Sequence, residues 1–83
     1  MINDVLVVDD DDAVRQLLAR WLTAWGYHVR EAFSAKDAVE QMTTRPASIL
    51  LTDLMMPVHD GMWLTEQVRP RWPHCRRHCQ RNG

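Results

Sequence analysis

Val5-Leu6-Val7-Val8-Asp9-Asp10-Asp11-Asp12 is an uninterrupted apolar run that stops on four acids. A second run, Ile49-Leu50-Leu51-Thr52, stops on a lone Asp53. Short, β-branched, continuously apolar segments of this kind fit strands covered on both faces. If both are parallel strands of one sheet, their carboxyl ends lie side by side at one edge. Carboxylates then converge with no basic residue adjacent in sequence. Such a cluster repels itself unless a hard cation neutralises it, and magnesium is the usual occupant of an all-oxygen site.

The segments between these runs alternate in period. Val14, Leu17, Leu18, Trp21, Leu22 and Trp25 recur at helical spacing after Asp11 or Asp12, either of which can N-cap. Gly26 suits the residue just past a helix end. Tyr27 to Ala32 reads as a weaker strand. Ser34-Ala35-Lys36-Asp37 resembles a capping box, and Ala35, Ala38, Val39 and Met42 form a second stripe. Arg45-Pro46 ends that helix. Ser48 to Thr52 is the next strand, Pro57 and Asp60-Gly61 mark a loop, and Met62 to Arg69 reads as a third helix. The order β-α-β-α-β-α implies an α/β fold with a parallel sheet and right-handed crossovers. Sites in open sheets of this kind form beyond the carboxyl ends of the strands, where Asp9, Asp10 and Asp53 fall.

Composition narrows the function classes. Eighty-three residues make one small domain, burying only about 60–65% of the unfolded surface. All 11 acids lie in residues 1–68 with five bases, a net of −6; residues 69–83 hold five arginines and no acid, a net of +5. An acidic body argues against specific nucleic-acid binding. No apolar stretch reaches the roughly 18 residues of a membrane span, and the acidic N-terminus is unlike a signal peptide. A cytoplasmic protein is expected. The two cysteines, Cys75 and Cys79, do not frame the body. With His74 and His78 they are too crowded for an easy tetrahedral zinc site. Residues 74–83 show neither strand nor helix period and are expected to form a disordered, basic Cys/His tail. Trp21 and Trp25 read as core, and His28 and His59 as surface residues.

Val-Leu-Val-Val-Asp9-Asp10-Asp11 together with Leu-Leu-Thr-Asp53-Leu-Met-Met-Pro57-Val-His-Asp60-Gly61 resembles the receiver domain of two-component response regulators. The resemblance covers residues 2 to about 74, with residues 1–73 as the N-terminal part of the domain. It implies a flavodoxin-like, doubly wound parallel sheet of order 2-1-3-4-5, here incomplete, with three of five strand-helix units. It also implies roles. Asp53 would be the phosphoacceptor, served by a sensor histidine kinase. Asp10 would ligate Mg2+ directly, Asp9 largely through water, and the Met55 backbone carbonyl would complete the protein ligands beside Asp53.

The chain departs from that pattern. The family's fourth strand ends in Ser or Thr and its fifth in Lys, yet no Ser or Thr follows Thr65 and the sole lysine is Lys36. Phosphoacceptance impaired by truncation is therefore the first reading. A non-switching remnant acting only as a binding module is the second. A magnesium-dependent phosphohydrolase is the third, disfavoured because Met55 stands where a second acid would serve. Strand three becomes an unprotected sheet edge and part of the Leu17, Trp21 and Leu22 stripe is left exposed, so self-association through that edge is expected. The tail's composition suits a frame shift or truncation just after His74. The encoding DNA tests that idea, which fails if no other frame continues the receiver pattern.

Overall fold

The computed structural model describes residues 3–80. Seven elements follow one another: β1 (Asp4–Val8), α1 (Asp12–Ala24), β2 (His28–Ala32), α2 (Ala35–Thr44), β3 (Ile49–Asp53), α3 (Gly61–Arg71) and β4 (Arg76–Gln80). The sheet has four strands in the order β2-β1-β3-β4, and every neighbouring pair is parallel. The α/β, doubly wound reading holds.

Local chemistry sets the boundaries. The Asp11 carboxylate accepts from the Ala13 and Val14 amides and starts α1; Gly26, at φ 95°, turns the chain out of it. Ser34 accepts from the Asp37 amide and starts α2. Asp60 accepts from the Trp63 amide and starts α3. Arg45, ahead of Pro46, is extended at the end of α2.

Strand register divides the side chains between two faces. Leu6, Val8, Ala32 and Leu50 point to the face covered by α2 and α3, where Ala38, Met42, Leu64 and Val68 close a fully buried core. Val5 and Val7 point to the opposite face, under α1. Asp9 and Asp53 continue this second set, two residues beyond the paired Val7 and Leu51.

Three expectations are corrected here. Residues 74–83 do not form a disordered tail throughout: 76–80 are a strand paired along the whole of β3, from Ile49 with Arg76 to Asp53 with Gln80. Residues 81–83 of that tail lie outside the described residues. The reason is backbone chemistry. Arg76 N–H donates to the Ser48 carbonyl at 2.9 Å and Leu54 N–H to the Gln80 carbonyl at 2.7 Å, while the Cys75 side chain is buried in the core. Hydrogen bonding to the ladder of β3 and one buried anchor hold a segment whose side chains are polar. It follows that β3 is an interior strand rather than the unprotected edge. The new edge, β4, carries Arg76 and Arg77, which discourage edge-to-edge pairing. The third concerns α1: Trp21 and Trp25 are 52% and 72% exposed rather than core, in line with the exposure expected for part of the Leu17, Trp21 and Leu22 stripe.

Candidate functional site

The carboxyl ends of β1 and β3 meet at one sheet edge, each extended by a shaped loop. After β1, Asp9 is fully buried and its N–H donates to the Ala32 carbonyl of β2 at 3.1 Å. One Asp9 carboxylate oxygen accepts from the Asp11 amide at 2.9 Å, which folds the loop and leaves Asp10 exposed at its turn. Arg15, one turn into α1, closes the arrangement. Its guanidinium donates to the Asp9 carbonyl at 2.9 Å and pairs with Asp12 at 2.8 Å and Glu31 at 3.0 Å. Burial opposes its charge, but the bonds to Asp12 and Glu31 outweigh that and hold it above its ordinary pKa. The loop bearing Asp9 and Asp10 is thus tied to both α1 and β2.

After β3, Asp53 is buried and its carboxylate accepts from the Met55 amide at 3.2 Å. Gly61 N–H donates to the Leu54 carbonyl at 3.1 Å, so α3 starts directly against the end of the strand. A side chain at Gly61 would put a Cβ closer than 3.0 Å to the Asp53 carbonyl oxygen. Between them, His59 N–H donates to the Pro57 carbonyl at 2.8 Å across a γ-turn, with Val58 at φ 68°. That left-handed conformation is strained for a β-branched residue. It leaves the Val58 side chain 94% exposed, while the His59 ring stacks on Trp63 with centroids 3.8 Å apart. A cleft of about 500 Å³ opens beside the carboxylates, lined by Asp10, Phe33, Ser34, Lys36, Pro57, Val58 and His59 among others.

One carboxylate oxygen from each of Asp9, Asp10 and Asp53 lies within 4.8 Å of the other two. Oxygen ligands of an octahedral magnesium sit about 2.1 Å from the ion and hence about 3–4 Å from one another. The donor set and spacing therefore fit a small hard cation after slight closure. The sequence had named these three residues, and the fold brings them together. Met55, whose carbonyl was the fourth expected donor, lies in the same loop two residues past Asp53. The Cys/His residues of the tail do not join a metal cluster among the described residues, because Cys75 is buried in the core while Cys79 is exposed.

A sequence model of the response regulator receiver domain matches residues 5–78. The chain belongs to this family. The match continues past His74, where a break in the receiver pattern was expected. Among curated proteins, the transcriptional regulatory protein SrrA of Staphylococcus aureus is 33% identical over 69 residues, covering 83% of this chain and 29% of SrrA. The chain thus spans less than a third of the length of the curated relatives it matches. Among solved structures, the Vibrio cholerae chemotaxis protein CheY4 aligns with a TM-score of 0.82 at 27% identity, over 89% of this chain and 62% of CheY4. The receiver domain of Brucella abortus NtrX gives 0.86 at 28%, over 92% and 65%. The receiver domain of the hybrid histidine kinase CckA gives 0.84 at 32%, over 92% and 72%. The receiver domain is the response module of two-component phosphorelays, and this chain carries its fold and its acidic cluster.

Two contributors escaped the sequence reading. Arg15 could have been found from its helical spacing to Asp11 and Asp12. Gln80, which ends β4 opposite Asp53, could not, because nothing in the run Arg76 to Gln80 has strand character.

Proposed function

We propose that this receiver accepts a phosphoryl group on Asp53 from the phosphohistidine of a sensor histidine kinase in the cytoplasm. The observation that carries the reading is the convergence of Asp53 with Asp9 and Asp10 at the end of two adjacent parallel strands. An Asp53 oxygen attacks the phosphorus, the new O–P bond forms as the P–N bond breaks, and the electron pair stays on the imidazole nitrogen, which takes up a proton. The backbone amide of Met55 fixes one Asp53 oxygen and leaves the other for attack. Asp9 and Asp10, with Asp53 and the Met55 carbonyl, are the residues that would hold Mg2+. Bound there, magnesium supplies positive charge against the oxygens of the transferring group. The carboxylate gains its reactivity from position, since the donor is already activated.

The neighbouring strand now has a physical identity. β4 ends in Cys79-Gln80, and Gln80, not a hydroxyl residue, is the register partner of Asp53. No helix among the described residues is long and apolar enough to cross a membrane. The test is intact-protein mass spectrometry after incubation with magnesium and a small acyl phosphate. A gain of one phosphoryl group is expected, absent in Asp53→Asn and absent when the metal is chelated. No gain in a folded sample, or an undiminished gain in Asp53→Asn, refutes the reading.

A further inference from the structure

The cleft beside the carboxylates is larger than a phosphoryl group needs. Its volume of about 500 Å³ is within the usual range of small-molecule sites. Every lining residue falls between Asp10 and His59, in the segments that follow β1, β2 and β3. β4 stands on the other side of β3 in the sheet. Asp10 is shared: its carboxylate belongs to the cluster with Asp9 and Asp53, and the residue also lines the cleft. The cleft therefore adjoins the place where a donor's phosphoryl group stands when Asp53 attacks it.

The chemistry of the lining is uneven. Phe33 supplies an apolar wall from the loop after β2, and Val58 supplies one from the loop after β3. Both are exposed, at 62% and 94%, and the left-handed backbone at Val58 holds its side chain out. The polar side chains have assigned work, with one exception. Asp10 belongs to the carboxylate cluster, Ser34 caps α2 and His59 stacks on Trp63. Lys36, the sole lysine, makes no ion pair with another described residue. Apolar walls with one unpaired ammonium suit a small ligand that joins an apolar group to a negative charge.

We infer, on the footing of Asp53 as acceptor, that this cleft makes the protein a selective acceptor from small acyl phosphates whose acyl group is apolar, aromatic or branched. An Asp53 oxygen attacks the phosphorus, and the new O–P bond forms as the P–O bond to the acyl group breaks. The electron pair leaves on the acyl carboxylate, which needs no proton. The apolar part of that leaving group lies between Phe33 and Val58. The Lys36 ammonium stands against the negative charge that develops on its carboxylate. Acetyl phosphate presents the same charge with little to fill the cleft. Phosphoramidate, which releases ammonia, presents neither the apolar group nor the departing carboxylate.

Time courses of the phosphoryl mass gain at Asp53, with magnesium present, compare benzoyl phosphate, acetyl phosphate and phosphoramidate. Each acyl phosphate rate is divided by the same variant's phosphoramidate rate. The parent should take benzoyl phosphate about tenfold faster than acetyl phosphate, the lower end of what one apolar group gives in a hydrophobic pocket. Phe33→Ala and, separately, Val58→Asn should each remove most of that advantage. Both positions are exposed, and asparagine tolerates the left-handed backbone, so folding is kept. The donors' intrinsic reactivities cancel because the same pair is used throughout. Lys36→Met should slow both acyl phosphates about two- to fivefold relative to phosphoramidate, the scale of an exposed charge pair, and Lys36→Arg should restore them. A benzoyl-to-acetyl ratio that is the same in the parent and both wall variants, or acyl phosphate rates indifferent to Lys36→Met, overturns the inference and leaves Asp53 as acceptor. Labelling by phosphoramidate alone does the same. Labelling by none of the three donors in a folded sample overturns both.

Discussion

Replacing Arg15 with methionine removes a side chain that ties the acidic loop to α1 and β2. Methionine keeps most of the apolar stem and loses the three polar contacts. The pair with Asp12 contributes almost nothing, since the Asp12 side chain is 76% exposed. The pair with Glu31, itself 40% exposed, contributes about 0.2–1 kcal/mol. The larger loss is the donor to the partly buried Asp9 carbonyl, about 1.5–3 kcal/mol for a hydrogen bond from a charged group. The expected destabilisation is therefore about 2–4 kcal/mol, or a fall in Tm of about 10–30 °C for a domain of this size. Arg15→Lys retains the charge but cannot reach three acceptors with one ammonium, and should recover less than half of the loss. Urea titrations followed by circular dichroism measure both variants by linear extrapolation. Phosphoryl acceptance at Asp53 should fall in parallel, because the loop that loosens carries Asp10. A methionine variant within about 0.5 kcal/mol of the parent, the usual range of an inconsequential surface change, would show that the Arg15 contacts do not hold the loop.

Two further perturbations probe the other side of the site. Gly61→Ala forces α3 away from the end of β3, because its Cβ would meet the Asp53 carbonyl oxygen. We expect a loss on the order of 1–3 kcal/mol from overpacking and slower phosphorylation in whatever remains folded; a variant that matches the parent in both measurements refutes the close approach. Burial pushes the Cys75 thiol pKa above its ordinary value of 9.0, with Arg77 partly opposing and Asp4 adding to the shift. A thiol pKa raised on folding contributes stability that is intact below the ordinary value and is lost as pH climbs toward the folded one. Stability should thus decline above about pH 9 in the parent and decline less in Cys75→Ala, with urea midpoints as the measure. In the folded protein at neutral pH a thiol reagent should label Cys79, which is exposed, well before Cys75.

Much of the fold was legible because its interior strands are apolar throughout. Val5 to Val8 and Ile49 to Leu51 announce buried strands, and the acids that end them mark the edge where the site lies. Ser34 states where α2 begins and Asp11 or Asp12 where α1 begins, whereas Asp60, which reads as part of a loop, proves to cap α3. β4 was illegible for a physical reason: Arg76-Arg77-His78-Cys79-Gln80 carries no hydrophobic period. Its place comes from the backbone ladder of β3 and from the burial of Cys75, neither of which a side-chain pattern records. The exposure of Trp25 was hidden similarly. A helical stripe tells that a helix has an apolar flank, but only the packed structure tells whether a layer lies against it. The three carboxylates were readable in sequence, whereas the Arg15 clamp and the neighbouring Gln80 required the loop and the register.

Asp53 is the residue whose carboxylate oxygen should receive the phosphoryl group. An aspartyl phosphate is reduced by borohydride to homoserine, whereas an untouched carboxylate is not. Protein treated with magnesium and a small acyl phosphate, reduced, digested and sequenced by tandem mass spectrometry should show homoserine at position 53 and aspartate at positions 9, 10, 11, 12 and 60. Homoserine at any of those other positions with Asp53 intact, or at none in a sample shown to be folded, would contradict the assignment of Asp53 as the acceptor.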